Sequence, residues 1–344
     1  MTGFNKNREW VLGALLAALL SGCGGGGGTS TTPTNSETGG SLGGSGGAAV
    51  PTAPSTPGSG ASSVSGGTTT SGTGSSGGSS SSTPVTSPPA SPAIVPTSHP
   101  KVLLSQSATL TRLKQQLTSG APAATRFKAF VDSELSSPGR NYYFQAWFAA
   151  LMFQISGETK YADFAVAKAD AFVASEEALI VSGQKAAVSG DSYLDVGPLV
   201  GDVALVYDWC NARLTDAQRK RWIAYMNQAV SNVWHPDTAA WGGKAFPWSG
   251  WSVNNPSNNY YYSFLKATML VGLATAGENA QAASWRTQFR NTKIAGELVP
   301  TFERDLQGGG SREGTGYGTA MKNLYQLYDW WERSTGERMA DLTS

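Results

Sequence analysis

Cysteine and histidine are almost absent, with two of each in a chain of 344 residues. Cys23 closes an apolar leader, which leaves Cys210 without a partner for an intrachain disulfide in a mature, exported chain. With only His99 and His235 as further ligands, a Cys/His zinc site is not credible, and Cys210 reads as a packed small hydrophobe. Charge is sparse as well, 14% of residues, split into 25 basic and 24 acidic side chains. The nucleotide pattern Gly-x-x-x-x-Gly-Lys-Ser/Thr is missing. Long apolar runs are also lacking: Trp10 to Leu20, broken only by Gly13, falls short of the roughly 20 residues a helix needs to cross a bilayer.

That run suits instead the hydrophobic region of a signal peptide, about 7–15 residues long. Lys6 and Arg8 precede it as a small positive region. It ends in Leu19-Leu20-Ser21-Gly22-Cys23, which resembles the bacterial lipobox, where the cysteine becomes the acylated first residue of the mature chain. The resemblance implies a signal peptide over residues 1–22 and membrane attachment through Cys23. Gly24 follows where an Asp would argue otherwise, so a bacterial lipoprotein of the outer membrane is expected, facing the periplasm or the cell surface. A short transmembrane anchor with an incidental cysteine is the competing reading. From Gly24 to about Ser98 the chain is almost entirely Gly, Ser, Thr, Pro and Ala, with Glu37 its only charge. Such a composition buries too little apolar surface to offset ordering, so residues 23–97 are expected to be a disordered linker. Its r.m.s. reach is about 45–50 Å, stiffened somewhat by proline.

Residues 98–344 hold nearly all the charge and aromatic content and suffice for one domain with a real core. Apolar residues recur there at three and four, as in Tyr143, Trp147, Leu151 and Ile155, or Leu199, Val203, Val206 and Cys210. The helices come in pairs. One pair runs from Tyr142 to Ile155 and on into Tyr161–Ala174; a second covers Gly197–Asn211 and a helix ending near Trp234, with Thr215 as its N-cap. A third joins Tyr260–Thr275 to Ala282–Ala295, and a fourth begins near Gly318. Ser156-Gly157-Glu158 is echoed by Thr335-Gly336-Glu337, the clearest internal repeat. The expected class is all-α, an array of helical hairpins. Without a further helix beyond Ser344, Leu327, Trp330 and Trp331 would be poorly covered, so the array is expected to be C-terminally incomplete.

Two stretches leave the helical pattern and gather functional side chains. Residues 241–262 hold three Trp, three Tyr and four Asn, among them Trp241, Trp248, Trp251, Asn254, Asn255, Asn258, Asn259, Tyr260 and Tyr261. Flat aromatic faces and neutral amides suit a saccharide groove; an aromatic loop packed over helix ends is the alternative. Residues 307–318 carry six Gly around Arg312, Glu313 and Tyr317, which permits tight turns and close ligand approach, or a simple inter-helix loop.

With His99-Pro100-Lys101-Val102-Leu103-Leu104 at the domain start, the Asn-rich segment 254–259 and Arg312-Glu313-Gly314-Thr315-Gly316-Tyr317 follow in an order that resembles the heparinase II/III-like and alginate-lyase-like polysaccharide lyases. The resemblance covers about residues 98–344 and implies an incomplete (α/α) toroid. It further implies β-elimination on a uronic-acid-containing polysaccharide. The proton at C5 is removed, the 4-O-linked sugar is expelled, and a donor shares the carboxylate charge as the enolate-like intermediate forms. Tyr317 would transfer the proton; Asn258 or Asn259, flanked by Asn254 and Asn255 and assisted by Arg312, would meet the carboxylate. A free Tyr has a pKa of about 10, so such a base needs a neighbouring positive charge. Tyr260 follows Asn259 where related enzymes often carry a His, and His235 is the candidate left to line the cleft. Trp241, Trp248, Trp251, Tyr260, Tyr261 and Glu313 would contact substrate. No cofactor is expected in the chain, and no metal site; a metal in this family would come with the C-terminal β-sandwich that its members usually carry.

Removing Lys6, Arg8 and Glu9 with the leader leaves 23 basic and 23 acidic residues. A binder of highly sulfated polymers would carry more basic excess, so a carboxylated polymer such as alginate is the expected partner, and no nucleic acid. Two rivals remain. An inverting glycoside hydrolase would pair Glu313 with Asp305, Asp202 or Asp208 at ~6.5–9.5 Å, although the last two fall in a helix whose acids read as structural. A non-catalytic glycan-capture lipoprotein would use the Trp241–Tyr262 surface alone.

Overall fold

The computed structural model describes residues 94–305 and 319–342. Cys23, nearly all of the expected linker, and Arg312, Glu313 and Tyr317 lie outside the described residues. Within them 71% of residues are helical and 2% are in strands, which supports the all-α class.

The helices are α1 (Ser107–Thr118), α2 (Pro122–Ser136), α3 (Ala146–Ser156), α4 (Thr159–Val181), α5 (Val196–Trp209) and α6 (Asp216–Trp234). A two-residue hairpin, β1 (Ala240–Trp241) with β2 (Lys244–Ala245), precedes α7 (Asn259–Ala274). Then α8 (Ala282–Thr287) runs through a π-helical stretch, Gln288–Leu298, into α9 (Val299–Asp305), and α10 covers Thr319–Thr335. The last hydrogen-bonding change has a local cause. Pro300, with no N–H to give, lies just past the stretch and Gly296 lies within it, both of which disfavour the regular ladder there. The helix expected to end at Ala295 nevertheless continues to Asp305.

Alternate helices form two layers. In one, α1, α3, α5, α7 and α10 pack side by side in that order; in the other, α2, α4, α6 and α8 each lie on an inner helix. The α1–α2 hairpin, opened by Pro122 at the first turn of α2, is a pair the apolar periodicity did not single out. The Tyr142–Ile155 expectation is shortened: Tyr142 and Tyr143 precede α3 and are 90% and 75% exposed. Thr215 caps α6 with a reciprocal capping box, its hydroxyl accepting from Gln218 N at 3.2 Å while Gln218 Oε1 accepts from Thr215 N at 3.0 Å. Cys210 is buried and free, and burial pushes its thiol up to about 12.

The Ser-Gly-Glu echo is a shared way of stopping a helix. Gly157 and Gly336 take left-handed φ of 77° and 79°, donating to Phe153 O and Glu332 O at 2.7 Å each. The residue before each glycine donates its hydroxyl back one turn and accepts the N–H of the following glutamate: Ser156 from Glu158 at 3.1 Å, Thr335 from Glu337 at 3.2 Å. Glu337 then pins its neighbours, taking the Arg290 guanidinium at 2.5 Å and the Trp331 indole N–H at 2.7 Å. Trp331 also packs on Phe289, and Leu327, Trp330 and Trp331 are all buried, contrary to the poor cover expected for them.

The segment ahead of α1 is locked by acids of α5 and the α7–α8 turn. Asp208 accepts Lys101 N at 2.9 Å, Val102 N at 2.8 Å and His99 Nδ1 at 2.5 Å. Glu278 meets His99 Nε2 and the buried Lys101 Nζ, each at 2.6 Å, and accepts the Tyr207 hydroxyl at 2.6 Å. Just beyond, Leu103 N donates to Ser334 Oγ at 2.9 Å, which brings the start of the helical array to the end of α10.

Candidate functional site

Among the described residues, two cavities of similar size lie along the inner helices. The larger, of about 270 Å³, is walled by Trp147, Phe148, Trp209 and Trp330, with Lys322 and Arg333 at α10. The second, of about 260 Å³, lies along Asp195, Pro198, Asn259, Tyr262 and Ser263. Lys266, Asn323 and Gln326 line both, so the two volumes adjoin at Lys266. Each volume is slightly below the usual range of roughly 300–1,000 Å³ for a ligand pocket, and the adjoining pair falls within it.

Helix α7 builds this junction by spacing. Asn259, Ser263 and Lys266 recur at four and three residues, which puts them on one helical face. Lys266 is the sole charged residue of α7, whose other side chains are mostly buried. Its ammonium lies over the Trp330 ring, 5.1 Å from the centroid. No carboxylate forms an ion pair with Lys266 among the described residues. Burial brings its pKa down to about 8; Asp202 works against that shift and Lys322 adds to it. Arg333, by contrast, is held by Asp329 at 2.7 Å.

Asp202 shapes the opposite wall. Its two oxygens accept Ala146 N at 3.0 Å and Trp147 N at 2.7 Å, satisfying free amides at the start of α3 and fixing the Trp147 backbone. Burial raises its carboxyl to about 6 against these hydrogen bonds and the pull of Lys266. The second cavity begins beside a strained turn, Asp191-Ser192-Tyr193, with φ of 39°, 55° and 62°. Three consecutive non-glycine residues there cost of order 1–3 kcal/mol each, so the surrounding packing must hold them.

The sequence-expected site residues divide sharply. Asn259 lines the second cavity, and Tyr260 begins the same helix with its hydroxyl 3.5 Å from Asp191. Asn258 is the N-cap of α7, accepting Tyr260 N at 3.0 Å, and Asn255 accepts Ser257 N at 3.1 Å in the preceding turn. Asn254 accepts the Lys293 ammonium at 2.7 Å. Trp241 and Tyr261 face the core: Trp241 stacks on Tyr225, and the Tyr261 hydroxyl donates to Lys293 O at 2.9 Å. Trp248 is half-buried with its indole N–H on Asn232 O, while Trp251 is 49% exposed, edge-on to Tyr260 at 4.6 Å. His235 is exposed at the end of α6 and lines neither cavity. Tyr317, Arg312 and Glu313 fall outside the described residues.

Lys266, Trp147, Trp209, Asn323 and Gln326 escaped the sequence reading. The available signal was a lone lysine inside an otherwise apolar helix, set seven residues after Asn259. Among the described residues no group of three or more His, Cys, Asp or Glu is placed to hold a metal ion. The hydrolase pairing loses two partners, because the Asp202 and Asp208 carboxylates are committed to backbone amides. No protein-family model matches the sequence, and neither does any curated protein.

Proposed function

We propose that this chain is a polysaccharide lyase, cleaving a uronic-acid-containing polymer by β-elimination on an (α/α) toroid of the heparinase II/III-like and alginate-lyase-like kind. The observation that carries the reading is the pair of neighbouring cavities at Lys266, where indole walls, neutral amides and a cation that has no carboxylate partner among the described residues converge. Sugar rings stack on such walls through their C–H faces, amides exchange hydrogen bonds with hydroxyls, and the cation answers a carboxylate.

In the reaction, the Tyr317 phenolate accepts the C5 proton, the C4–O bond breaks as a C4–C5 double bond forms, and Tyr317 passes that proton to the departing oxygen, which regenerates the phenolate. Charge accumulating on the carboxylate is shared by amide and cationic donors. Asn259 suits that role better than Asn258, whose side chain caps α7. Arg312 lowers the barrier to forming the Tyr317 phenolate. Lipid attachment at Cys23 would place this domain at the outer membrane, with the linker setting its reach.

The test is incubation of the soluble domain with alginate, pectate, hyaluronan and heparan sulfate, following ultraviolet absorbance of the unsaturated product. Elimination yields the chromophore, hydrolysis yields reducing ends alone, and a capture protein yields neither. Retention of full activity by Tyr317→Phe would overturn the assigned mechanism.

A further inference from the structure

Lys266 stands out among the cations that line the cavities. The fully buried cations have carboxylate partners: Lys101 meets Glu278 at 2.6 Å, and Lys293 meets Glu297 at 2.7 Å. Lys266, half-buried, has the Trp330 ring and, among the described residues, no carboxylate. The nearby charges do not make good the deficit. Asp202 on α5 attracts it, but both oxygens of that carboxylate are bound to the amides of Ala146 and Trp147. Lys322 on α10 repels it, and exposed Asp195 lines only the second cavity. A half-buried cation with this lining carries a desolvation cost that an anion would relieve.

The position is as informative as the charge. Lys266 belongs to the lining of both cavities, as do Asn323 and Gln326, so its side chain stands where the two share a wall. Asn323 and Gln326 share that boundary and supply neutral donors and acceptors beside the charge. Trp330 closes one side with a buried indole Nε1 that has no hydrogen-bond partner among the described residues.

We propose that Lys266 is a specificity-determining residue, receiving the carboxylate of a 1,4-linked uronate at the junction of the two cavities, with Asn323 and Gln326 on the adjoining ring hydroxyls. The class of ligand rests on the lyase reading above; the position rests on the surroundings of Lys266. The subsite therefore selects carboxylated over neutral polymers of the same linkage. Lys266 acts in binding, separately from the proton transfer assigned to Tyr317.

The experiment is equilibrium calorimetry on the full chain with tetramers of 1,4-linked mannuronate, guluronate and galacturonate, each against its carboxyl-reduced neutral counterpart. A charge-assisted hydrogen bond in such a site corresponds to roughly 10-fold tighter binding of at least one charged tetramer. Lys266→Met should bring that charged-to-neutral ratio to near unity while leaving the weak neutral affinity in place, and Lys266→Arg should restore part of it. A thermal melt of each variant confirms that it folds. Equal affinity of wild type for every charged and neutral pair overturns the proposal, as does a preference that survives Lys266→Met. Binding is read without turnover. A uronate preference with no unsaturated product would sink the lyase reading alone, and elimination with no charge preference would sink the role of Lys266 alone.

Discussion

The Lys293 ammonium donates to the side-chain oxygen of Asn254 at 2.7 Å, joining the π-helical stretch to the aromatic loop ahead of α7. The same ammonium reaches Val253 O at 3.3 Å and Glu297 at 2.7 Å, and lies 4.6 Å from the Trp234 ring centroid. An amide that looks like a sugar ligand in the sequence is thus a fastening for the loop. One buried cation fixes both the loop and the helix irregularity below it.

Lys293→Met should therefore destabilise the fold by about 2–4 kcal/mol, since it strands Glu297 and releases Asn254. Urea unfolding measures the loss, and hydrogen exchange should show faster exchange at Val253 and Asn255 first. An unchanged midpoint would show that the fastening contributes nothing.

Glu278 gives the fold an acid-sensitive joint. Burial alone would raise its carboxyl, but hydrogen bonds from Lys101, Tyr207 and His99 outweigh it and bring the value from 4.5 to about 2. A depressed carboxyl contributes stability that is complete above its unfolded value and is lost as pH falls from about 4.5 through 2. Glu278→Gln should cost about 1–2 kcal/mol at pH 7, allowing for screening on its partly open side, and the gap to wild type should narrow below pH 4.5. Guanidine unfolding at pH 7, 5 and 3 measures it; a gap that stays constant contradicts the assignment.

Lys266 behaves in the opposite sense. Its folded value, about 8, lies below its ordinary 10.5, so the folded state gives up the proton more readily than the unfolded chain. Stability is therefore depressed below pH 8 and recovers as pH rises from 8 to 10.5. Lys266→Met should stabilise the protein by about 1–3 kcal/mol at pH 7, with the gain fading towards pH 10.5. A gain of equal size at both ends would remove titration as its cause. Stabilisation on removing a side chain is the expected signature of a group kept for binding.

Gly197 tests the inner layer. A Cβ there would meet Ser263 O and Oγ at 2.6 Å, and its N–H already donates to that hydroxyl at 3.0 Å. Gly197→Ala should force α5 away from α7 and cost about 1–3 kcal/mol. Because Ser263 also lines the second cavity, uronate affinity should fall with it, and calorimetry beside thermal melting reads both effects.

Helix pairs and their stops were legible because each is written locally. Thr215 three residues before Gln218 announces a capping box, and Gly157 and Gly336 announce left-handed ends. The site was less legible for a physical reason. Trp147, Lys266 and Asn323 lie far apart in sequence and converge only when α3, α7 and α10 pack. Nearby residues misled in turn. The crowding of Trp241, Asn254 and Tyr261 in one segment suggested a binding surface, but Trp241 and Tyr261 are spent on the core and Asn254 on Lys293. Asn259 lies one position past the cap of α7, on the face that Ser263 and Lys266 extend, and so it lines the second cavity.

The lock around His99 and Lys101 has a mechanical consequence. Any tension drawn along the chain upstream of His99 arrives first at Asp208 and Glu278, on α5 and the α7–α8 turn. Asp208 lies on an inner helix and Glu278 follows directly on another, so a pull is passed to α5 and the end of α7 before it can peel α1 from the array. Because several hydrogen bonds at this point bear the load together, the joint resists shear, and the cavity wall that α1 contributes with Leu113 is shielded from forces on the leading segment.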